Sequence, residues 1–137
     1  MLSLKTVRKR VNNERGQAVT ELALVVPILM MLIIGGILLG LVVYNQIVIV
    51  TSANQGARLG AALMADENVS NYTAQARAES LAGDTLSHVA GGCNTINAGR
   101  SGDSFVVEIN CPYGLPIPFM EHRTVNLGHK ASYYIFE

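Results

Sequence analysis

The sequence predicts an α+β fold: a long N-terminal transmembrane helix that extends into a small exterior domain with a second helix and a short antiparallel β-sheet. Three observations predict it. No charged residue lies between Glu21 and Arg58, and Leu22 to Val43 is almost wholly apolar. Downstream, small and apolar residues recur at intervals of three or four, the period of a helix. From Ser104 onward the pattern becomes alternating and β-branched, the signature of strands.

A membrane-spanning helix needs about 20 predominantly apolar residues, which the first segment supplies with length to spare. The apolar core of a cleaved export signal is only about 7–15 residues long, so such a signal fits badly. A buried helix of a water-soluble protein would show a polar face, and none appears before Tyr44-Asn45-Gln46. The expected division is a basic cytoplasmic leader over residues 1–16, a transmembrane helix over 17–46 and an extracytoplasmic α+β domain over 47–137.

Charge sets the expected orientation. Lys5, Arg8, Lys9, Arg10 and Arg15 precede the apolar run, with Glu14 the one acid among them. Basic residues are retained on the cytoplasmic side, which puts the N-terminus inside and the C-terminal domain outside. The formal net charge of zero hides this asymmetry, because from Gln17 onward acids outnumber bases nine to five. An acidic exterior carries no electrostatic footprint for nucleic acid.

Within the anchor, Pro27 removes one backbone hydrogen bond and predicts a kink near Ala23–Pro27. Gly36 and Gly40 form a small-xxx-small spacing that lets another helix approach closely, although membrane helices are rich in glycine in any case. A helix from Val19 to Ala62 would be about 65 Å long, against about 30 Å of hydrocarbon. The remainder must project outward or break near Asn45-Gln46.

Ile47, Val50, Ala53, Ala57 and Ala61 form the expected inner stripe of the projecting part, which ends at Asp66-Glu67-Asn68. A second helix starts at Ser70 or Asn71, residue types suited to capping. Its apolar face is Ala74, Ala78, Leu81, Thr85, Leu86 and Val89, and Gly91-Gly92 ends it. Strands are expected over 104–111, 123–127 and 131–136, with Pro112 to Pro118 as a loop and Gly128-His129-Lys130 as a turn.

Cys93 and Cys111 read as a structural disulfide outside the membrane. The rival reading, a reactive thiol, lacks an adjacent cation or a tight Cys-x-x-Cys spacing. His88, His122 and His129 show no metal-binding spacing. Ser101, Asp103 and a histidine are residue types of a triad, but no nucleophile elbow or phosphate loop accompanies them. The sequence therefore predicts no enzyme and no cofactor. Tyr72, Tyr133, Tyr134 and Phe136 are expected in the core, the alternative being an aromatic adhesive patch. Asn68-Val69-Ser70 and Asn71-Tyr72-Thr73 match the glycosylation sequon and are read as coincidental.

The junction of leader and anchor is Glu14-Arg15-Gly16-Gln17-Ala18-Val19-Thr20-Glu21. Gly16 separates a charged segment from a helix-forming one and is expected to leave an unstructured site open to a protease. Glu21 places a lone carboxylate at the mouth of the apolar helix, where desolvation is costly without a partner. If the chain is cut after Gly16, Gln17 carries a new α-amino group and Glu21 is the fifth residue.

This arrangement resembles the processing site of type IV prepilins. More narrowly, Arg15-Gly-Gln-Ala-Val-Thr-Glu-Leu-Ala-Leu-Val-Val-Pro27, followed by the small-residue run Ala53 to Ala62, resembles the TadE-like family. These are minor pilins or pseudopilins of tight-adherence, Flp-type pilus systems. The resemblance covers roughly Arg15 to Ala62. It departs from major type IV pilins at Gln17, where those usually have an aromatic residue. It implies cleavage after Gly16 by a prepilin peptidase and a Glu21 that pairs with an N-terminal amine. It also implies an inner-membrane location among membrane lipid, and contacts with other pilins and with the inner-membrane assembly platform. The alternative is an uncleaved bitopic protein whose exterior domain binds a ligand or partner.

Overall fold

The computed structural model describes residues 4–87, 89, 93, 95–115 and 123–136, with side chains from residue 16 onward except that of Arg123. The elements in order are α1 (Leu4–Met64), α2 (Asn71–Leu86), β1 (Thr95–Ser101), β2 (Ser104–Leu115) and β3 (Arg123–Tyr134). The chain forms two compact units, Met1–Leu39 and Gly40–Glu137.

In the first unit the apolar side chains of α1 are exposed among the described residues. From residue 16 to 39 every residue is exposed except half-buried Leu38. Leu24 is 71% and Met31 76% exposed. A helix that is apolar all round is buried in protein or in lipid, and no other described residue of the chain covers this one. Helix continues on both sides of Pro27. It also continues through Asn45-Gln46, so the break considered there does not occur.

In the second unit α1 contributes a face built on a four-residue step: Ile49, Ala53, Ala57 and Ala61, all buried. The expected stripe is thus rotated at its start, since Ile47 is 59% exposed and Ile49 takes the core position. Buried Ser52 lies beside this face, and its hydroxyl donates to the Val48 carbonyl at 2.8 Å. A buried hydroxyl is thereby satisfied within its own helix.

Two glycines let neighbours close onto the same face. A Cβ at Gly60 would run into the Phe105 ring of β2. A Cβ at Gly56 would stand 3.1 Å from the Ala78 carbonyl oxygen and 3.3 Å from the Ala82 Cβ. The helix therefore meets the sheet at Gly60 and α2 at Gly56.

Ser70 caps α2, its hydroxyl oxygen accepting from the Thr73 N–H at 3.3 Å, which satisfies one of the helix's orphan donors. The buried residues Ala74, Ala78, Ala82 and Leu86 lie four apart. Leu81 is 37% exposed, and its predicted core place belongs to Ala82. The helix ends at Leu86; Gly91-Gly92, predicted to end it, lie outside the described residues.

The sheet is antiparallel in the order β1-β2-β3. Gly102 and Asp103 form the two-residue turn between β1 and β2, with Gly102 at φ 61°. A hairpin turn of this length needs a left-handed residue at its first central position.

Three strand predictions are corrected. Strand β1 is not among the expected strands, because Thr-Ile-Asn-Ala-Gly-Arg-Ser has few β-branched residues; pairing with β2 and cover from α2 hold it extended. Strand β2 continues through Pro112 to Leu115. Pro112 is tolerated because its nitrogen faces the β1 side, where β1 begins only at Thr95, opposite Asn110. The expected turn at Gly128-His129-Lys130 is instead continuous β3, paired with Asn110, Ile109 and Glu108.

The core aromatics are Phe105 and Tyr113. Tyr72 and Phe136 are each 80% exposed, and Tyr134 is 56% exposed, so their predicted burial is also corrected. On β3 the buried positions are odd-numbered, Leu127 and Ala131, followed by Ile135 beyond the strand. Tyr134 and Phe136 have the opposite parity and face away. Tyr133 has the inner parity but lies on an edge strand, and it remains 39% exposed.

Candidate functional site

The residues singled out at the junction all lie on α1. Gly16 is helical and exposed, with open space where a side chain would be. The expectation of an unstructured site at this glycine is therefore corrected. One glycine costs a helix about 1 kcal/mol relative to alanine, too little to break a sequence that is helix-forming on both sides. Thr20 adds a local tie, its hydroxyl donating to the Gly16 carbonyl at 2.6 Å.

One turn apart on the exposed surface, Gln17 and Glu21 are in contact. The Gln17 side-chain amide donates to Glu21 Oε1 at 3.2 Å. This partner was absent from the sequence argument, which considered only an amine on Gln17. The signal for it was present: Gln and an acid four apart on a helix are suited to such a bond. The bond gives the Glu21 carboxylate a partner within its own helix.

Beyond the junction, Gly36 and Gly40 each have nothing within 4 Å of a built Cβ. Both positions are open to a close-packing partner helix. Pro27 stands in the same exposed apolar segment.

Cys93 and Cys111 are joined as a disulfide with a Cα–Cα distance of 4.2 Å. Cys111 is buried in the core from β2, and Cys93 packs against it. The bond ties the segment entering β1 to the middle strand of the sheet.

Among the described residues, those considered for a triad are not brought together. Ser101 and Asp103 lie at the β1–β2 turn, while His129 pairs with Ile109. Ile109 is five residues along β2 from Ser104, roughly 17 Å at strand rise. Among the described residues no group of three His, Cys, Asp or Glu is placed to hold a metal ion. His88 and His122 lie outside the described residues.

The geometry defines a protein with, among the described residues, one helix long and apolar enough to cross a membrane, Gly16–Met64, and an α+β domain closed by a disulfide. Within this class, residues 16–58 match the model of the TadE-like protein family, the family that the sequence resembles. The match starts at Gly16 and takes in Gln17, Glu21, Pro27, Gly36 and Gly40. Comparisons with curated proteins and with solved structures find no match.

Proposed function

We propose that this chain is a minor pilin or pseudopilin that supports assembly of a tight-adherence, type IV-like pilus. The observation that carries the reading is the TadE-like match, which begins at the glycine where a prepilin would be cut and covers the apolar helix. The family suggests a membrane protein associated with such a pilus. In the finer reading, a prepilin peptidase cuts after Gly16, residues 1–16 stay in the cytoplasm, and the disulfide-bonded domain lies outside the inner membrane. The Cys93–Cys111 bond supports that orientation, because disulfides persist in oxidising compartments.

The mechanism follows from charge and helix geometry. Cleavage exposes an α-amino group on Gln17 with an ordinary pKa of about 7.7–8, hence largely protonated at neutral pH. The Glu21 carboxylate then has two possible partners of its own chain, the Gln17 amide and the Gln17 amine. In an assembly the amine of a neighbouring subunit is a third. Pairing between subunits fixes their axial register, and the open glycines of the apolar segment let the helices approach. Other pilins and the inner-membrane assembly platform are the partners.

A second reading, an uncleaved bitopic protein with a binding domain, is favoured by one observation: Gly16 is helical, and Thr20 bonds back onto its carbonyl. Mass spectrometry of the N-terminus, on protein from native membranes with and without the peptidase, decides between them. The pilin reading expects Gln17 at the N-terminus only when the peptidase is present. Intact Met1 in its presence favours the bitopic protein.

A further inference from the structure

The two edges of the sheet are not equivalent. The hairpin of β1 and β2 closes on Ser101 opposite Ser104 across a two-residue turn. A closing pair of this kind exchanges backbone hydrogen bonds. Alternation along the strands then fixes which backbone groups point away from the sheet: those of even-numbered residues on both β1 and β3. Two side-chain contacts agree with this parity. The Ala98 N–H of β1 donates to Glu79 Oε1 at 3.1 Å, and the Gly128 carbonyl of β3 accepts from Gln46 at 3.4 Å.

On β1 the Glu79 carboxylate takes the Ala98 N–H, and α2 packs against the strand. On β3, beyond Gly128, the outward N–H and C=O groups of Lys130, Ser132 and Tyr134 have no partner among the described residues. All three residues are exposed, and the Tyr134 ring stacks edge-on against exposed Phe136 at 5.4 Å. A long open edge beside exposed aromatics is a template for pairing with another strand.

We propose that this edge pairs antiparallel with the same edge of a second copy of the chain, about a two-fold axis at Ser132. The edge is complementary to itself, and its side chains favour this register over those centred on Lys130 or Gly128. Centring the pair on Lys130 would set like charges opposite each other, which destabilises a sheet. Centring it on Gly128 would displace Gln46. Centring it on Ser132 does neither. It sets Lys130 opposite the second copy's Tyr134, a cation over an aromatic face. Exposed Phe136 then falls opposite the second copy's Gly128, where an aromatic ring shields a bare edge position. Pairing confined to Lys130, Ser132 and Tyr134 leaves the Gln46 contact in place. The interface is isologous, as a two-fold requires.

The test uses the full-length chain in its native membrane. Opposed residues of a bonded antiparallel pair have Cα atoms about 5.5 Å apart, within disulfide range. Ser132→Cys is therefore expected to give a self-crosslinked dimer on mild oxidation. Thr124→Cys, on the same edge but outside the register, is expected to stay monomeric. Ser132→Pro removes an N–H that the sheet itself does not use, so the domain folds and Cys93–Cys111 stays oxidised. Pull-down between differently tagged copies is expected to lose the second copy in this variant. A monomeric Ser132→Cys protein, a crosslink to a different protein, or unchanged pull-down by Ser132→Pro overturns the proposal.

Discussion

Gly60 of α1 lies directly against the ring of Phe105 on β2, with no room between them for a methyl group. Phe105 is fully buried and is the largest of the fully buried side chains. The helix and the sheet thus meet through a large residue seated on the smallest one. Gly60→Ala gains helix propensity of about 1 kcal/mol but must move the ring, an overpacking cost of about 1–3 kcal/mol. The expected net result is a lower melting temperature of the detergent-solubilised chain. Adding Phe105→Leu to Gly60→Ala should recover part of the loss relative to Phe105→Leu alone. A raised melting temperature for Gly60→Ala by itself would show that the ring moves aside freely.

Gly83 of α2 provides the opposite case. A Cβ there meets only Ile96 Cδ1 at 3.7 Å, an ordinary contact. Gly83→Ala should therefore stabilise by about 0.5–1 kcal/mol through reduced backbone entropy in the unfolded chain. The same thermal melt reads both variants, and opposite signs are expected.

The disulfide closes a loop with a sequence separation of 18 residues. On the chain-entropy model a loop of that size contributes about 3 kcal/mol, a large share for a small domain whose core face on α1 is mostly alanine. Alkylation of the non-reduced protein should leave both thiols unlabelled. Cys93→Ser should lower the steady-state level without altering the N-terminus. Quantitative labelling of both cysteines in the native membrane form would contradict the bond and the exterior location together.

How much of this was legible depended on the kind of signal. Composition is enough to pick out the long apolar helix, because length and lack of charge suffice there. The cap at Ser70 and the Cys93–Cys111 pair were readable from residue type. Strand limits were not, because β1 is held by its neighbours rather than by its own residues. Pro112 looked like a strand-breaker, and only the register shows that its nitrogen faces the side where β1 has not yet begun. The exposed Tyr134 and Phe136 were misread because parity on β3 is set by partner strands. At the junction, Gln17 was read for its future amine and not for the amide it already carries.

Glu21 is where the proposed mechanism is tested. Its carboxylate accepts from the Gln17 side chain at 3.2 Å on an exposed helix face, beside the apolar run. A charge at the edge of hydrocarbon costs a few kcal/mol by insertion scales unless it is solvated or paired. Glu21→Gln keeps size and an acceptor for the Gln17 amide but deletes the charge. Insertion and cleavage after Gly16 should be normal in this variant, since neither uses the charge. Association with other pilins should be lost, because an amide offers a protonated amine only a neutral acceptor, and a bond to an ionised group is roughly twice as strong. Gln17→Ala separates the two possible partners: it removes the side-chain amide and keeps the α-amine, so piliation should persist. Intact mass of the mature chain checks that the amine is free, because cyclisation of Gln17 would abolish it. Wild-type piliation and wild-type recovery of partner pilins by Glu21→Gln would make the carboxylate an ordinary interfacial residue. Loss of both, with Gln17→Ala unaffected, would place the working contact between Glu21 and a neighbouring amine.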